Sequence, residues 1–462
     1  MLKQYIGDKT FYRRAMAIAL PIIVQNAITN FVSLLDNIMV GQLSTAQISA
    51  VNIVNNNLLF IFMLLMWGGS AGAGIFTTQY YGSGDLEGVR FTFRYKLLTC
   101  LALCGVGISA FYFLCDPLVG LYLQGDGDPA LAADTLFYGR QYMHIMLIGL
   151  VPFSLTNVYA GTLRECGKPL MPMIAGLIAT GVNLILNYIL IFGHFGVPAM
   201  GVAGAAWATV LSRFVELGVV AAWTHLHAKE NPYIRGIYRS FRIPGKLFKT
   251  ITLKGMPLML NEGTFAVGMA VLNQCYSKCG LDVVPALSIA TTIYNLAAVV
   301  FRSLGNTVGI ILGQMLGASR PESEVRDTYR KLTALCIASG ILFGILLIPC
   351  AQLFPMIYNT TDAVRALATA LILISAVTMP MQAYIFPVYF TLRAGGKTLI
   401  TFLFDSGAIW LLCIPLAFVL SYFTKLPVTL IYALGYIGDF VKCFVGSYII
   451  KKGAWIQNLA EK

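Results

Sequence analysis

The sequence predicts an all-α polytopic membrane protein, with twelve transmembrane helices forming two pseudo-symmetric six-helix bundles. Three observations carry that expectation. The 462-residue chain is 58% hydrophobic and 11% charged, with a mean hydropathy of +0.75, far more apolar than a soluble domain. Apolar runs of roughly 20 residues, each long enough to cross a bilayer, recur from end to end. Short motifs of the first half also return in the second half in the same order, the mark of an internal repeat.

Charged residues and Gly/Pro breaks divide the chain into spans near 14–39, 49–80, 92–115, 131–160, 170–192, 198–224, 251–279, 285–317, 328–356, 362–390, 398–421 and 426–450. The first follows Arg13-Arg14 and resembles a signal peptide, but it is too long, holds Asn and Asp, and reads as a retained helix. The second contains Gly68-Gly-Ser-Ala-Gly-Ala-Gly74 and the sixth Gly201, Gly204, Ala205 and Ala208, small residues that let helices approach closely. After the third span come Asp116, Asp126, Asp128 and Asp134 with no Lys or Arg, so that loop belongs outside. Pro21, Pro152, Pro257, Pro380 and Pro387 lie inside spans, where a missing N–H bends a helix. The interval 229–249 mixes Arg235, Arg239, Arg242 and Lys246 with Tyr233, Ile234, Ile237, Tyr238 and Phe241. It reads as a basic amphipathic linker on the inner membrane surface, joining an N-lobe (1–228) to a C-lobe (250–462).

The net charge of +12 encodes orientation and does not indicate nucleic acid. Of 32 Lys and Arg, all but seven fall in the termini and alternate loops. The exceptions are Lys278, Arg365 and Lys425 in opposite loops, and Arg140, Arg213, Arg302 and Lys442 within spans. This positive-inside bias places both termini in the cytoplasm of an inner (plasma) membrane. The ten cysteines are scattered, and the CxxxC pairs 100/104 and 275/279 lack neighbouring His, so they read as packing residues. His225 and His227 read as solvated loop histidines.

The repeat is explicit. Gly74-x4-Gln79-x2-Gly82 returns as Gly309-x4-Gln314-x2-Gly317, Thr162-Leu-Arg-x-x-Gly-Lys168 as Thr391-Leu-Arg-x-x-Gly-Lys397, and Leu20-Pro21 as Met256-Pro257. Six spans per half is an even number, so the halves share one orientation. In repeat-built transporters the substrate lies between halves that rock against each other.

Ionisable groups inside a membrane normally face a cavity or a partner, because a central Asp costs about 2.5–3.5 kcal/mol on insertion scales. Arg213 with Glu216, and Asp439 with Lys442, are i, i+3 neighbours able to neutralise each other. Arg140 reads as an interfacial side chain reaching toward the head groups. Asp36, Glu262 and Asp405 have no sequence-local cation, and Asn26, Asn30 and Ser33 share a helical stripe with Asp36. These acids are the candidates to bind a coupling ion and to attract a cationic substrate. Aromatic rings such as Tyr384 can hold organic cations. Gly68-Gly-Ser-Ala-Gly72 fits GxSxG in form only, lying in the small-residue packing stretch of the second span, and no HExxH or Walker A motif occurs, so neither an enzyme nor ATP-driven transport is expected, and no cofactor.

Asp-Asn-Ile-Met-Val-Gly41, the repeated Thr-Leu-Arg-x-x-Gly-Lys, and Leu186-Asn-Tyr-Ile-Leu-Ile-Phe-Gly193 with Gly201-Val-Ala-Gly-Ala-Ala-Trp-Ala-Thr209 resemble MATE (multidrug and toxic compound extrusion) transporters of the prokaryotic NorM/DinF-like type. The resemblance spans nearly the whole chain. It implies a monomeric secondary antiporter exporting cationic or amphipathic compounds in exchange for H+ or Na+. It further implies an ion site of Asp36, Asn183, Asn187 and Thr209, with Asp36 and Asn183 the ligands if Na+ is the ion. The substrate-binding candidates, read from the residues themselves and not from the resemblance, are Glu262, Asp405, Arg302 and Tyr384. Two positions depart from the pattern. Proton-coupled members often carry Asp where this chain has Asn187, and Glu262 lies about one turn earlier than the helix 7 Glu of NorM-like members. The rival reading is a flippase for lipid-linked precursors, which would need a cationic cavity.

Overall fold

In the computed structural model, which describes residues 5–123 and 128–461, twelve long helices follow one another. They are α1 (Lys9–Val40), α2 (Thr45–Ser83), α3 (Leu86–Phe113), α4 (Pro129–Glu165), α5 (Leu170–Phe192), α6 (Val202–Leu226), α7 (Gly245–Ser277), α8 (Val283–Gly317), α9 (Glu322–Leu353), α10 (Asp362–Ala394), α11 (Thr398–Phe423) and α12 (Val428–Lys452). Among the described residues, eleven are long and apolar enough to cross a membrane. The remaining one, α7, is 33 residues long and is made more polar by Lys246, Lys249, Lys254, Asn261 and Glu262. Asp126, expected in the outer acidic loop, lies outside the described residues.

Helix ends follow local chemistry. Asp85 caps α3 by accepting from the backbone N–H of Glu87 and Gly88, Asp128 caps α4 through Ala130, and Thr361 caps α10 through Val364. Such caps satisfy N–H groups that a helix leaves unpaired. The repeated Thr-Leu-Arg-x-x-Gly-Lys is a helix stop. Gly167 and Gly396 adopt φ of 75° and 71°. Beyond them Lys168 N donates to Leu163 O at 2.8 Å, and Lys397 N to Leu392 O at 3.0 Å, closing each helix with a left-handed glycine.

The chain forms two compact units. One comprises Met1–Ile23, Thr78–Gly84 and Met256–Lys462; the other comprises Val24–Thr77 and Asp85–Gly255. These units differ from a division into 1–228 and 250–462 in short pieces, and packing supplies the reason. Ala15, Ile18, Ala19 and Ile22 of α1 are buried with Leu304, Val308 and Leu312 of α8 and Leu392 of α10. In this unit α10 is the central helix, touching α8, α9 and α12; in the other, α4 touches α2, α3 and α6. These two centres are the helices that end in the repeated stop.

The glycine repeat has a packing role within the first unit. A Cβ on Gly82 would meet the backbone carbonyl of Gln314, and one on Gly317 would meet that of Gln79. The two copies of the motif therefore cross backbone to backbone. Gln79 also ties the end of α10 to the C-terminal tail, donating to Ala394 O (2.9 Å) and Gln457 O (3.2 Å) and accepting from Leu459 N (2.6 Å). Trp455 of that tail is fully buried.

Three expectations need correction. The linker is shorter than 229–249, because α7 already begins at Gly245. Its apolar residues do not all face lipid: Tyr233, Ile234 and Ile237 are buried in protein, whereas Tyr238 and Phe241 are exposed. The backbone there is held by Arg90, which donates to Tyr233 O, and by Arg94, which donates to Ile237 O. His225 is bonded rather than merely solvated, with Nε2 2.9 Å from Tyr159 Oη and its ring stacked on Tyr238.

The crossing is testable. Gly317→Ala pushes a methyl onto backbone that no side-chain rotation can move aside, which is expected to cost about 1–3 kcal/mol. It should lower the unfolding temperature of purified protein, whereas Gly105→Ala, where nothing lies within 4 Å of the new atom, should leave it unchanged or slightly raised.

Candidate functional site

Helix α5 carries its polar residues on one face: Asn183 and Asn187 are one turn apart and both are buried. The turn after it brings α6 alongside. Gly193 (φ 76°) ends α5, Met200 N donates to Leu190 O at 2.9 Å, and a Cβ on Gly204 would lie 2.5 Å from Leu190 O. Only a residue without a side chain fits there. The glycines of this motif thus bring Thr209 of α6 to within 3.5 Å of the Asn183 amide.

Asp36 meets this pair from α1. Asn187 Nδ2 donates to Asp36 Oδ1 at 2.8 Å and to Asn183 Oδ1 at 3.2 Å. The Asn183 amide can face Asp36 in two ways. Turned with its nitrogen inward, it donates to Asp36 Oδ1 at 3.0 Å and Oδ2 at 3.2 Å. Turned the other way, its oxygen confronts the carboxylate, an arrangement that a proton on Asp36 or a cation between the oxygens would relieve. Asn187 Oδ1 is buried and has no partner. Buried polar atoms are nearly always satisfied, so this orphan acceptor, beside a carboxylate and a threonine hydroxyl, suits a hard cation. Two hydrogen bonds to a charged acceptor contribute about 1.5–3 kcal/mol each, enough to offset the roughly 2.5–3.5 kcal/mol of an intramembrane Asp. The stripe on α1 contributes less than expected, since Ser33 donates to Thr29 O and not to Asp36.

The second half holds its acids differently. Asp405 is not without a cation: Lys442 Nζ lies 3.3 Å from Asp405 Oδ1 and 3.5 Å from Asp439 Oδ1. Asn261 Nδ2 donates to the other Asp405 oxygen at 3.2 Å, and Gln382 Nε2 to the other Asp439 oxygen at 2.5 Å. Asp405 sits in a π-wound stretch of α11, Leu403–Gly407, a helix form frequent at functional positions. Glu262 lies within electrostatic reach of Arg393 and Asp405. Arg302 donates to Asn295 Oδ1 and lies over the rings of Tyr294 and Phe386, each at 5.6 Å. Tyr384 shares a 2.6 Å hydrogen bond with Ser447, so Arg302 and Tyr384 stand apart from the acid cluster in their bonding.

Two other pairings differ from expectation. Arg213 donates to Gly149 O at 3.4 Å and lies over Phe153 at 5.0 Å, while Glu216 feels Arg164 as well as Arg213, so the i, i+3 pair is part of a wider buried network. Arg140 pairs with Asp116 in an exposed position. The sequence reading missed Asn261, Gln382 and the link from Lys442 to Asp405. The available signal was a Lys, Lys442, placed well inside a span.

A MatE family model matches the chain twice, over residues 21–189 and 257–419. The chain belongs to the MatE family. The two matches begin at Pro21 and Pro257, the prolines that open the internal repeat, so each half carries one copy of the MatE unit. This MatE chain is 23% identical over 416 residues to the probable multidrug resistance protein NorM of Thermotoga maritima, covering 90% of this chain and 86% of that one. It is 25% identical over 415 residues to the multidrug resistance protein PmpM of Pseudomonas aeruginosa, covering 88% and 84%. Its fold matches an outward-facing multidrug resistance MATE family transporter of the MOP superfamily with a TM-score of 0.85 at 19% identity, covering 98% and 97%. As a MatE protein it is a multi-pass membrane transporter, not an enzyme.

The amides around Asp36 give a direct test. Asn187→Leu removes the closest donor to the carboxylate, and the loss of about 1.5–3 kcal/mol should shift the ion concentration giving half-maximal exchange by about tenfold or more. An unchanged half-maximal concentration in a well-folded variant would remove Asn187 from the site.

Proposed function

We propose that this transporter exports cationic or amphipathic small molecules in exchange for H+ or Na+, by alternating access, with Asp36 as the coupling acid. The observation that carries this reading is the pocket of Asp36, Asn183, Asn187 and Thr209, with its orphan acceptor on Asn187. A carboxylate that trades two amide donors for a proton or a cation changes its charge and its hydrogen bonding together. Such a group can make the stability of one conformation depend on ion loading. The names of the two relatives, both multidrug resistance proteins, support small-molecule drugs as cargo.

Asn187 adds a neutral amide where a second acid would allow coupled titration of a carboxyl pair. One acid then carries the coupling, either as a protonatable group or as a ligand of Na+ with the oxygens of Asn183, Asn187 and Thr209. In the second half, Asp405, Asp439 and Glu262 outnumber Lys442 and Arg393, the cations within their reach. That balance supports a cationic cargo over the anionic lipid head group a flippase would carry. The charge bias of the loops supports an inner (plasma) membrane location with both termini cytoplasmic, and the protein is taken to act as a monomer.

The test is exchange in proteoliposomes under separately imposed Na+ and pH gradients. Wild type should respond to one of the two, and Asp36→Asn should lose that response while retaining normal insertion and folding. Exchange by the variant at the wild-type rate under both gradients would overturn the assignment of Asp36.

A further inference from the structure

The Asp405–Lys442–Asp439 group has an incomplete charge balance. Two carboxylates face one ammonium, and each carboxylate gives one oxygen to Lys442 and the other to an amide, Asn261 or Gln382. Asn261 is itself fixed, accepting from Ser406 Oγ at 2.6 Å and from Ser406 N at 3.3 Å. Lys442 is 6% exposed, so its charge is largely withdrawn from the surface. The side chains of Asp405 and Asp439 keep 21% and 17% of their surface, so the acids can be reached where the ammonium cannot. Removing Lys442 from Asp405 would still leave it paired with Asp439, one helical turn away on α12. The group therefore has room for one further monovalent positive charge, and that charge belongs at Asp405.

We propose that Lys442 is a specificity-determining residue of transport: its ammonium is a tethered cation seated on Asp405, and a monovalent organic cation binds in the second half by displacing it onto Asp439. This deepens the reading of the protein as an exporter of cations and rests on it. The exchange conserves charge at every step. Before binding, Lys442 is shared between two acids; afterwards one acid holds Lys442 and the other holds the cargo. A cargo without positive charge would have nothing to offer Asp405 in return for the ammonium. The π-wound backbone at Leu403–Gly407 lets Asp405 shift without breaking a regular helix ladder.

The experiment is equilibrium binding of tritiated tetraphenylphosphonium to the full-length protein in nanodiscs. Lys442→Met removes the internal competitor and should tighten binding about tenfold or more. Adding Asp405→Asn to that variant should return affinity to the wild-type level or below, and Lys442→Arg should stay near wild type. If Lys442→Met is not recovered as folded protein, Asp439→Asn/Lys442→Met keeps the wild-type net charge and should show the same tightening. A folded variant that binds no more tightly than wild type overturns the proposal; structural damage alone would weaken binding, so tightening is the distinguishing result. The readout needs no ion gradient. Repeating it with Asp36→Asn separates the two claims, because failure of Asp36 as the coupling acid would leave the effect of Lys442 intact.

Discussion

A carboxylate inside an apolar span must find donors or a cation, and this requirement organises both halves of the molecule. In the first half the donors are amides from α5, positioned by the glycine-lined turn into α6. In the second they are an ammonium from α12 and amides from α7 and α10. The two solutions differ in what they leave open. Amides satisfy Asp36 without neutralising it, which leaves its charge for the mobile ion proposed above. Lys442 neutralises Asp405 in part, so the cation proposed to bind there would have to compete.

The same repeat thus carries two kinds of centre. Its structural residues have kept their roles in both copies: the left-handed glycines at 167 and 396 end equivalent helices, and Gly82 and Gly317 give each crossing backbone a place to lie. The charged residues have not kept theirs. Asp36 sits on the first helix of its half, whereas Asp405 and Asp439 sit on the fifth and sixth helices of the other. Packing constrains both copies alike, while their charged residues are free to diverge.

Much of this was legible in the sequence because it depends on local patterns. Hydropathy located the spans, and the motif pairs exposed the repeat. Asp36 and its α5 amides could be named because they lie in recognisable motifs. Lys442 was visible only as a neighbour of Asp439, three residues away, and its bond to Asp405 spans 37 positions with no sequence pattern to announce it. The burial of Tyr233, Ile234 and Ile237 was hidden for the same reason, since Arg90 and Arg94 reach them from α3. The π-wound stretches in α2 (Asn52–Leu59) and α11 (Leu403–Gly407) also have no compositional sign.

If Asp36 couples alone, one turnover exchanges one monovalent ion for one cargo molecule. The most direct measurement is the voltage dependence of exchange in proteoliposomes with a singly charged cationic substrate and a fixed gradient of the coupling ion. One-for-one exchange moves no net charge, so the account predicts an end point indifferent to an imposed membrane potential. An end point that shifts with potential as two ions per substrate require would contradict it, and would mean that a second acid takes part in coupling.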